Sequence, residues 1–162
     1  GFSKTTFIEQ TYLFILLKKE VIIIEFSSIE EVIEYIRGVL GEALGEVGED
    51  MKEIMVKAIQ EDIYDDHSPK VYERTGQLLN TPQITEHTSD SITTEFLDNG
   101  GWSSVISGNH MFPIEEYQKG SVWAPGGGRY SADVLETAFT ECQLEIPEKL
   151  LQILRSHGIP IE

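Results

Sequence analysis

The sequence predicts an α+β fold with a long N-terminal helix or helix pair, an antiparallel β-meander and C-terminal helices. Three observations predict it. Apolar residues recur at helical spacing through residues 27–64, short segments rich in Ile and Thr alternate in polarity between 83 and 107, and helical periodicity returns from residue 131. A chain of 162 residues, 40% hydrophobic and 25% charged, is long enough for one domain with a real core. We therefore expect residues 27–162 to form a single domain.

The first 26 residues are expected to form an apolar extension, as a single strand or a β-hairpin. Two apolar runs, TYLFILL (11–17) and VIII (21–24), are separated by two lysines and a glutamate. Seven apolar residues are far fewer than the ~20 that a helix needs to span a bilayer. No membrane interaction is therefore predicted.

The long helix is expected to begin at Ser27, because a hydroxyl followed three residues later by Glu30 forms a capping box. If the helix runs unbroken to Tyr64, it is about 55 Å long at ~1.5 Å per residue. Four glycines interrupt it, and each costs ~1 kcal/mol of helix propensity relative to alanine. Either they break the helix in two, or they form a smooth track that another helix or subunit approaches closely. These glycines are Gly38, Gly41, Gly45 and Gly48.

Charge is concentrated in the same segment. The whole chain has 28 acidic and 12 basic residues, a formal charge of −16. Residues 27–66 hold twelve of the acidic residues and three of the basic ones. Such a surface repels phosphate backbones, so nucleic-acid sequence recognition is not expected. A solvated helix face explains the pattern, and a negative surface that meets a basic partner is the functional alternative.

Three segments are predicted strands of the meander, QITEHT (83–88), SITTEFL (91–97) and WSSVIS (102–107), with an Asn-Gly turn signal at 99–100. Residues 108–130 are expected to be a long loop. Ser131 is expected to cap a helix over 132–144 whose inward face includes Val134, Leu135, Ala138, Phe139 and Cys142. Pro147 is expected in the first turn of a last helix, 147–157, which Gly158 and Pro160 end.

Candidate catalytic chemistry is sparse. Asp65, Asp66 and His67 form the densest group of metal-ligand types, but adjacent side chains diverge and no second group follows at a recognisable spacing. GGGRY (126–130) lacks the spacing of a phosphate-binding loop. Cys142 fits a small core residue better than a nucleophile. No metal, cofactor or enzymatic activity is therefore expected. A small metal-dependent hydrolase that uses the Asp65–His67 group with His110 is the alternative from another class.

Aromatic residues stand on the long loops, where they serve either the core or a protein interface. These candidates are Trp102, Phe112, Tyr117 and Trp123.

Residues 64–79, YDDHSPKVYERTGQLL, resemble a pattern found in tail-component proteins of long-tailed bacteriophages and prophages, the head–tail joining or tail-completion group. That pattern is Y-S-P-x-x-Y-x-R-T-G-x-L, and the resemblance extends over about residues 50–157. In the family a strand follows the motif directly, whereas Asn80-Thr81-Pro82 intervenes here. The matching residues are Ser68, Pro69, Tyr72, Arg74, Thr75, Gly76 and Leu78.

The resemblance implies a virion structural protein that assembles as a ring at the neck or tail end, without catalysis. Its expected partners are other tail or neck proteins and copies of itself. Its expected location is the virion, and the cytoplasm of the bacterial host before assembly. An acidic binding module that mimics nucleic acid is a further alternative.

Physical chemistry gives the motif a role beside this resemblance. Pro69 prevents the preceding helix from continuing. Tyr72 combines a large apolar body with a polar tip. Arg74 offers a planar donor fork to a carboxylate of the same or a neighbouring chain. Thr75 and Gly76 can form a turn or cap a short helix. We therefore expect Tyr72, Arg74, Thr75 and Gly76, with the four loop aromatics, to make assembly contacts.

Overall fold

The computed structural model describes residues 11–17, 20–65, 76–99, 101–102, 108–120, 122–123, 129–130 and 132–162. Its elements are, in order, β1 (Thr11–Leu17), β2 (Glu20–Phe26), α1 (Ile29–Ile59), β3 (Pro82–His87), β4 (Ile92–Phe96), α2 (Pro113–Gln118), β5 (Val122–Trp123), β6 (Arg129–Tyr130) and α3 (Val134–Ser156). A π-helical turn, Gln60–Asp65, extends α1, and a 3-10 turn, Gln77–Asn80, precedes β3. The predicted α+β class, with its long helix, antiparallel strands and C-terminal helix, is confirmed.

Helix α1 is continuous for 31 residues, so the predicted alternative of a break at the glycines is wrong. It also begins one residue later than expected. The N-cap is Ser28, whose hydroxyl accepts a hydrogen bond from the Glu31 amide at 3.2 Å. The Glu31 carboxylate in turn accepts hydrogen bonds from the amide of Ser27 at 2.8 Å and from its hydroxyl at 2.7 Å. Glu31 therefore stands at the third helical position, as in a capping box, but its carboxylate bonds to Ser27, the residue before the N-cap, instead of to Ser28.

Strands β3 and β4 form an antiparallel hairpin that lies against the middle of α1. Its register shifts between Ile84 and Glu86, so Thr85 is an extra, bulged residue. Thr88 closes the turn, since its amide donates to the Ser91 carbonyl at 2.9 Å and its hydroxyl bonds to Asp90 at 2.9 Å. The predicted third strand, 102–107, lies almost wholly outside the described residues, and Trp102 itself is not in a strand.

Helix α3 runs antiparallel to α1 and closes two apolar clusters against it. Near the end of α1, Met55, Ala58 and Ile59 pack with Val134 and Ala138 from the start of α3. Near the beginning of α1, a second cluster joins the two helices through buried Val39, Ala43 and Leu154. Ile63, Leu78, Ile114 and Tyr117 complete the first cluster, which is the main core.

The predicted long loop at 108–130 contains α2 and a short β5–β6 pair, which corrects the sequence interpretation. Pro113 stands at the first position of α2, where its fixed φ favours a helix and its missing N–H costs nothing. The helix turns Ile114 and Tyr117 into the core. Two buried apolar side chains explain why a six-residue helix forms in a region rich in loop residues.

The predicted C-terminal helix pair is a single helix, Val134–Ser156, with Pro147 in its interior. Its N-cap is Asp133, two residues after the expected Ser131, and the Asp133 carboxylate accepts from the Glu136 amide at 3.1 Å. The helix ends as predicted, because Gly158 adopts a φ of 80° and donates to the Arg155 carbonyl at 2.9 Å.

Two α3 residues that were expected to face inward are exposed. Leu135 is 41% exposed and Phe139 59%, whereas the small residues Val134 and Ala138 face α1. Small side chains let the two helices approach closely, and this displaces the larger ones to the outer side. Within the part of the chain that the structure describes, no helix is long and apolar enough to cross a membrane.

Candidate assembly interface

The β3–β4 hairpin is held on α1 by a histidine that bonds to the helix backbone. His87 Nε2 lies 2.7 Å from the Gly41 carbonyl oxygen. Because a carbonyl only accepts, the imidazole donates its Nε2–H. Gly41 lies in the helix interior, where its carbonyl already serves the backbone ladder, so the imidazole adds a second bond to that oxygen. His87 thereby fixes the end of β3 to the helix.

The glycines of α1 make room for this hairpin. A Cβ on Gly45 would lie 3.0 Å from His87 Cε1. A Cβ on Gly48 would lie 2.9 Å from Ile92 Cγ1 and 3.1 Å from Ile84 Cδ1. The predicted track for close approach is therefore present, but what approaches is a hairpin of the same chain. Gly38 differs, since a Cβ added there would have no described neighbour within 4 Å.

An acidic ridge follows the solvent side of α1 and consists of Glu42, Glu46, Glu49 and Glu53, all exposed. Their 4-3-4 spacing aligns them on one helix face. Lys52 reaches Glu49 at 3.5 Å, and Lys149 of α3 reaches the neighbouring Asp50 at 3.5 Å. Exposed pairs of this kind contribute little free energy. The ridge remains strongly negative and suits a basic partner surface.

Apolar side chains are exposed at two places on the helices. At the start of α1, Ile29, Ile33 and Ile36 are 72%, 45% and 39% exposed. On α3, the exposed set is Leu135, Phe139 and Leu144. Single exposed apolar residues are ordinary, but Ile29, Ile33 and Ile36 are aligned on one face of α1, which indicates a contact surface.

His110 forms two hydrogen bonds within the segment between β4 and α2. Its Nε2 lies 2.6 Å from Asp98 Oδ2 and its Nδ1 lies 2.9 Å from the Trp102 carbonyl oxygen. The hydrogen bond to Asp98, more than any other effect, raises the pKa of His110 above its ordinary value, and Glu115 adds a smaller contribution. With an acceptor at each ring nitrogen, the charged imidazolium satisfies both bonds.

The predicted assembly residues lie in different places. Tyr72, Arg74 and Thr75 fall outside the described residues, and Trp123 belongs to β5. Gly76 precedes the 3-10 turn with a φ of 72°, a left-handed conformation that favours glycine. Trp102 and Phe112 are half-buried against the main core. Tyr117 is only 5% exposed, so of the two roles considered for this ring, core or interface, its burial favours the core.

The residues considered for a metal-dependent activity are only partly described by the structure. Among the described residues, no group of three or more His, Cys, Asp or Glu side chains could hold a metal ion. Asp66 and His67 are outside the described residues, and Asp65 accepts a hydrogen bond from Gln60 at 2.7 Å. A groove between α1 and α3, lined by Ile54, Thr137 and Glu141 among others, encloses about 10 Å³. That volume barely holds one water molecule.

Cys142 is half-buried beside two carboxylates. Burial raises the pKa of its thiol, and Glu145 and Glu141 raise it further. A raised pKa lowers the thiolate fraction that a nucleophile requires. This environment favours a small packing residue of α3 over a nucleophile.

The sequence interpretation missed two features of this surface. It assigned no role to His87, and it did not separate the exposed Ile29, Ile33 and Ile36 from the other apolar residues that recur at helical spacing in α1. A signal existed for the isoleucines, since the predicted N-terminal helix of about 55 Å is much longer than either predicted C-terminal helix, 132–144 or 147–157. No sequence signal existed for His87, whose partner is 46 residues away.

Comparisons with known proteins give a family but no close relative. No curated protein and no solved structure matches the chain significantly. The sequence model of the YomN family matches residues 28–128, which is more than half of the chain. The YomN name derives from a Bacillus phage or prophage and associates the chain with a phage region. The matched region spans α1, the β3–β4 hairpin and α2, and the chain belongs to the YomN family.

Proposed function

We propose that this protein is a virion structural protein of a phage or prophage that assembles at the head–tail junction or at the tail end. It acts by subunit contacts and not by catalysis. Its partners are other tail or neck proteins, together with copies of itself in a ring. The motif residues Tyr72, Arg74, Thr75 and Gly76 contribute contacts, with Trp102, Phe112 and Trp123 from the following loops.

One observation above all supports the proposal, the arrangement of exposed surfaces on α1. The helix is about 46 Å long at ~1.5 Å per residue, more than a domain of this size needs to close its core. It carries the acidic ridge on one side and exposed isoleucines at its first turns. A rigid rod with a charged face and an apolar end fits a protein that joins larger assemblies. The association of the family with phages favours a virion over other assemblies.

Deleting the gene from an inducible phage tests the proposal. We expect filled heads and separate or unterminated tails in negative-stain images, with infectivity restored when purified protein is added to the extract. Normal, infectious virions from the deletion strain would contradict the proposal. A second measurement uses light scattering of the purified protein mixed with tail-tube protein, because assembly proteins can stay monomeric until they dock.

The acidic ridge supplies a matched pair of variants for this experiment. Glu46→Lys combined with Glu49→Lys reverses the centre of the ridge, whereas Glu136→Lys changes an exposed carboxylate of α3. If the ridge contacts a basic virion protein, the first variant fails to restore infectivity and the second restores it. If both variants restore infectivity equally, the acidic ridge is not needed for joining.

The same ridge favours a second candidate function, an acidic binding module that mimics nucleic acid. Such a module binds basic DNA-binding proteins, and its affinity falls steeply with salt. Capture of a purified basic nuclease at ~50 mM salt, with release at ~300 mM, would support it. Binding that persists at high salt would point instead to a structural partner.

A further inference from the structure

The first two turns of α1 extend beyond the helix that covers the rest of it. Leu154, near the end of α3, packs with Val39 and Ala43 of α1. Residues 29–36 of α1 precede this cluster and expose Ile29, Ile33 and Ile36. An exposed fraction of 72% for Ile29 is that of a side chain with almost no apolar neighbour on its outer side.

The spacing of these isoleucines is that of a helix-pairing seam. Ile29, Ile33, Ile36 and half-buried Leu40 follow one another at intervals of four, three and four residues. This is the a/d repeat by which helices pack side by side. The same line continues into Ala43 and Val47, which are buried in the protein's own core. We name Ile29, Ile33, Ile36 and Leu40 the α1 seam.

One carboxylate and one guanidinium flank the seam on the same side. Glu30 and Arg37 are both exposed, and neither has an ion pair within the described part of the chain. They are seven residues apart, or about 10.5 Å along the helix axis, which is too far for a pair within one helix. When a second copy of α1 runs in the opposite direction, Glu30 of each helix can face Arg37 of the other.

We propose that a second copy of this chain covers the α1 seam, with the two α1 helices antiparallel about a two-fold axis. In this arrangement Ile33 lies against Ile36 of the partner subunit, and Ile29 lies against Leu40 of the partner subunit. Glu30 then meets Arg37 of the partner subunit, and the symmetry repeats that ion pair on the other side. A parallel pairing offers no such match, because there Arg37 lies opposite an apolar Val32 position.

The charge of the protein does not oppose this contact. At ~100° per residue, the acidic ridge lies roughly 130° around α1 from the seam, so the two ridges face away from each other. Leu154 and the residues after it lie near Tyr35 and Leu40 and leave Ile29 and Ile33 open. The contact is a property of the chain by itself and does not depend on the proposed role in a virion.

The overlap is short, so the dimer is expected to be weak. Twelve residues of each helix, about 18 Å, bury less area than a standard protein interface of ~1,600 Å². We expect a dissociation constant on the order of micromolar. Sedimentation velocity of the full chain from about 1 to 500 µM covers that range, and wild type is expected to shift from monomer to dimer.

The first experiment disrupts the apolar contact at the α1 seam. Ile33→Glu places a carboxylate at the centre of the contact and is expected to weaken the dimer at least ~10-fold. Leu144→Glu is the matched control, since Leu144 is 71% exposed and lies on α3. It should change the dissociation constant less than ~2-fold, and circular dichroism should show the same helix content in both variants. A dimer that survives Ile33→Glu would overturn the proposal, as would a wild-type chain that stays monomeric throughout.

The second experiment tests the two-fold pairing itself. Glu30→Arg and Arg37→Glu each turn two attractive pairs into repulsive ones and should weaken self-association about 10-fold. When the two variants are mixed, every pair is attractive again. We therefore expect a heterodimer that forms more tightly than either variant alone. A mixture with no preference for the heterodimer would exclude the antiparallel contact.

Discussion

His87 Nε2 lies 2.7 Å from the carbonyl oxygen of Gly41, and this bond connects a strand end to the middle of a helix 46 residues earlier in the chain. The close approach is possible because the helix has glycines on that side. At Gly45 a Cβ would come within 3.0 Å of the imidazole. The glycines and the histidine therefore work together, and the position of the hairpin on the acidic helix depends on both.

Replacing His87 is expected to loosen the hairpin without unfolding the domain. His87→Ala removes one partly exposed hydrogen bond, which contributes about 0.5–1.5 kcal/mol. Hydrogen exchange of the β3 and β4 amides should accelerate by about 3–10-fold, while the amides of α3 keep their protection. Glu95→Ala, an exposed substitution on β4, is the control. Equal acceleration in the two variants would mean that His87 does not anchor the hairpin.

Leucine at Gly48 is expected to destabilise the domain, whereas leucine at Gly38 is expected to stabilise it. Any side chain at Gly48 meets Ile92 and Ile84, whose nearest atoms lie 2.9 and 3.1 Å from where its Cβ would stand. Overpacking of this kind costs about 1–3 kcal/mol. At Gly38 the space is open, so replacing glycine in a helix contributes up to ~1 kcal/mol. Urea unfolding at low protein concentration measures both, and a stabilised Gly48→Leu variant would contradict the close packing.

The glycines of α1 explain where the sequence predicted the helix correctly and where it did not. The apolar repeat predicted a helix, and the α1 of the structure follows that repeat. A break at the glycines was one of two alternatives, and it does not occur because burial of the β3–β4 hairpin on Gly41, Gly45 and Gly48 offsets their low helix propensity. Tertiary packing of this kind involves residues far apart in the chain, so local spacing cannot reveal it.

The candidate contact surface was predicted less well than the fold. The acidic character of α1 was evident from composition. The loop aromatics were predicted as assembly contacts, with a core role as the alternative, and Tyr117 lies in the main core with Trp102 and Phe112 packed against it. The inward face of α3 was assigned wrongly at Leu135 and Phe139, because two apolar stripes are adjacent there and periodicity alone does not decide between them. Helix phase is decided by the small residues that allow α1 to come close, Val134 and Ala138.

Pro147 offers a stabilising substitution. It lies inside α3, where it removes a backbone hydrogen bond and crowds the preceding turn at a typical cost of about 3 kcal/mol. Packing of α3 on α1 offsets that cost in the native protein. Pro147→Ala is therefore expected to raise the free energy of unfolding by about 1–3 kcal/mol, measured by urea denaturation.

The control for this variant is Gln143→Ala, an exposed change one turn earlier that leaves the backbone bonds intact. It should alter the free energy of unfolding by less than ~0.5 kcal/mol. A Pro147→Ala variant no more stable than this control would mean that local bending of α3 already removes the energetic cost of the proline.

The bond between His110 and Asp98 predicts that stability falls as pH rises. Asp98 holds the pKa of His110 above its ordinary value of 6.5, so the protonated imidazole is the form that folding favours. The contribution of this pair is complete below about pH 6.5, the pKa of the unfolded chain, and disappears as the pH rises through the higher pKa of the folded protein. His110→Gln cannot titrate and should lose this component while keeping every other pH effect of the acidic chain.

The measurement is the difference in melting temperature between wild type and His110→Gln from pH 5.5 to 8.5. Wild type should be the more stable at low pH, and the two should converge at high pH. Asp98→Asn should reduce the difference, because it removes the largest cause of the raised pKa of His110. A difference that stays constant with pH would show that His110 contributes through packing and its bond to the Trp102 carbonyl, and not through its charge.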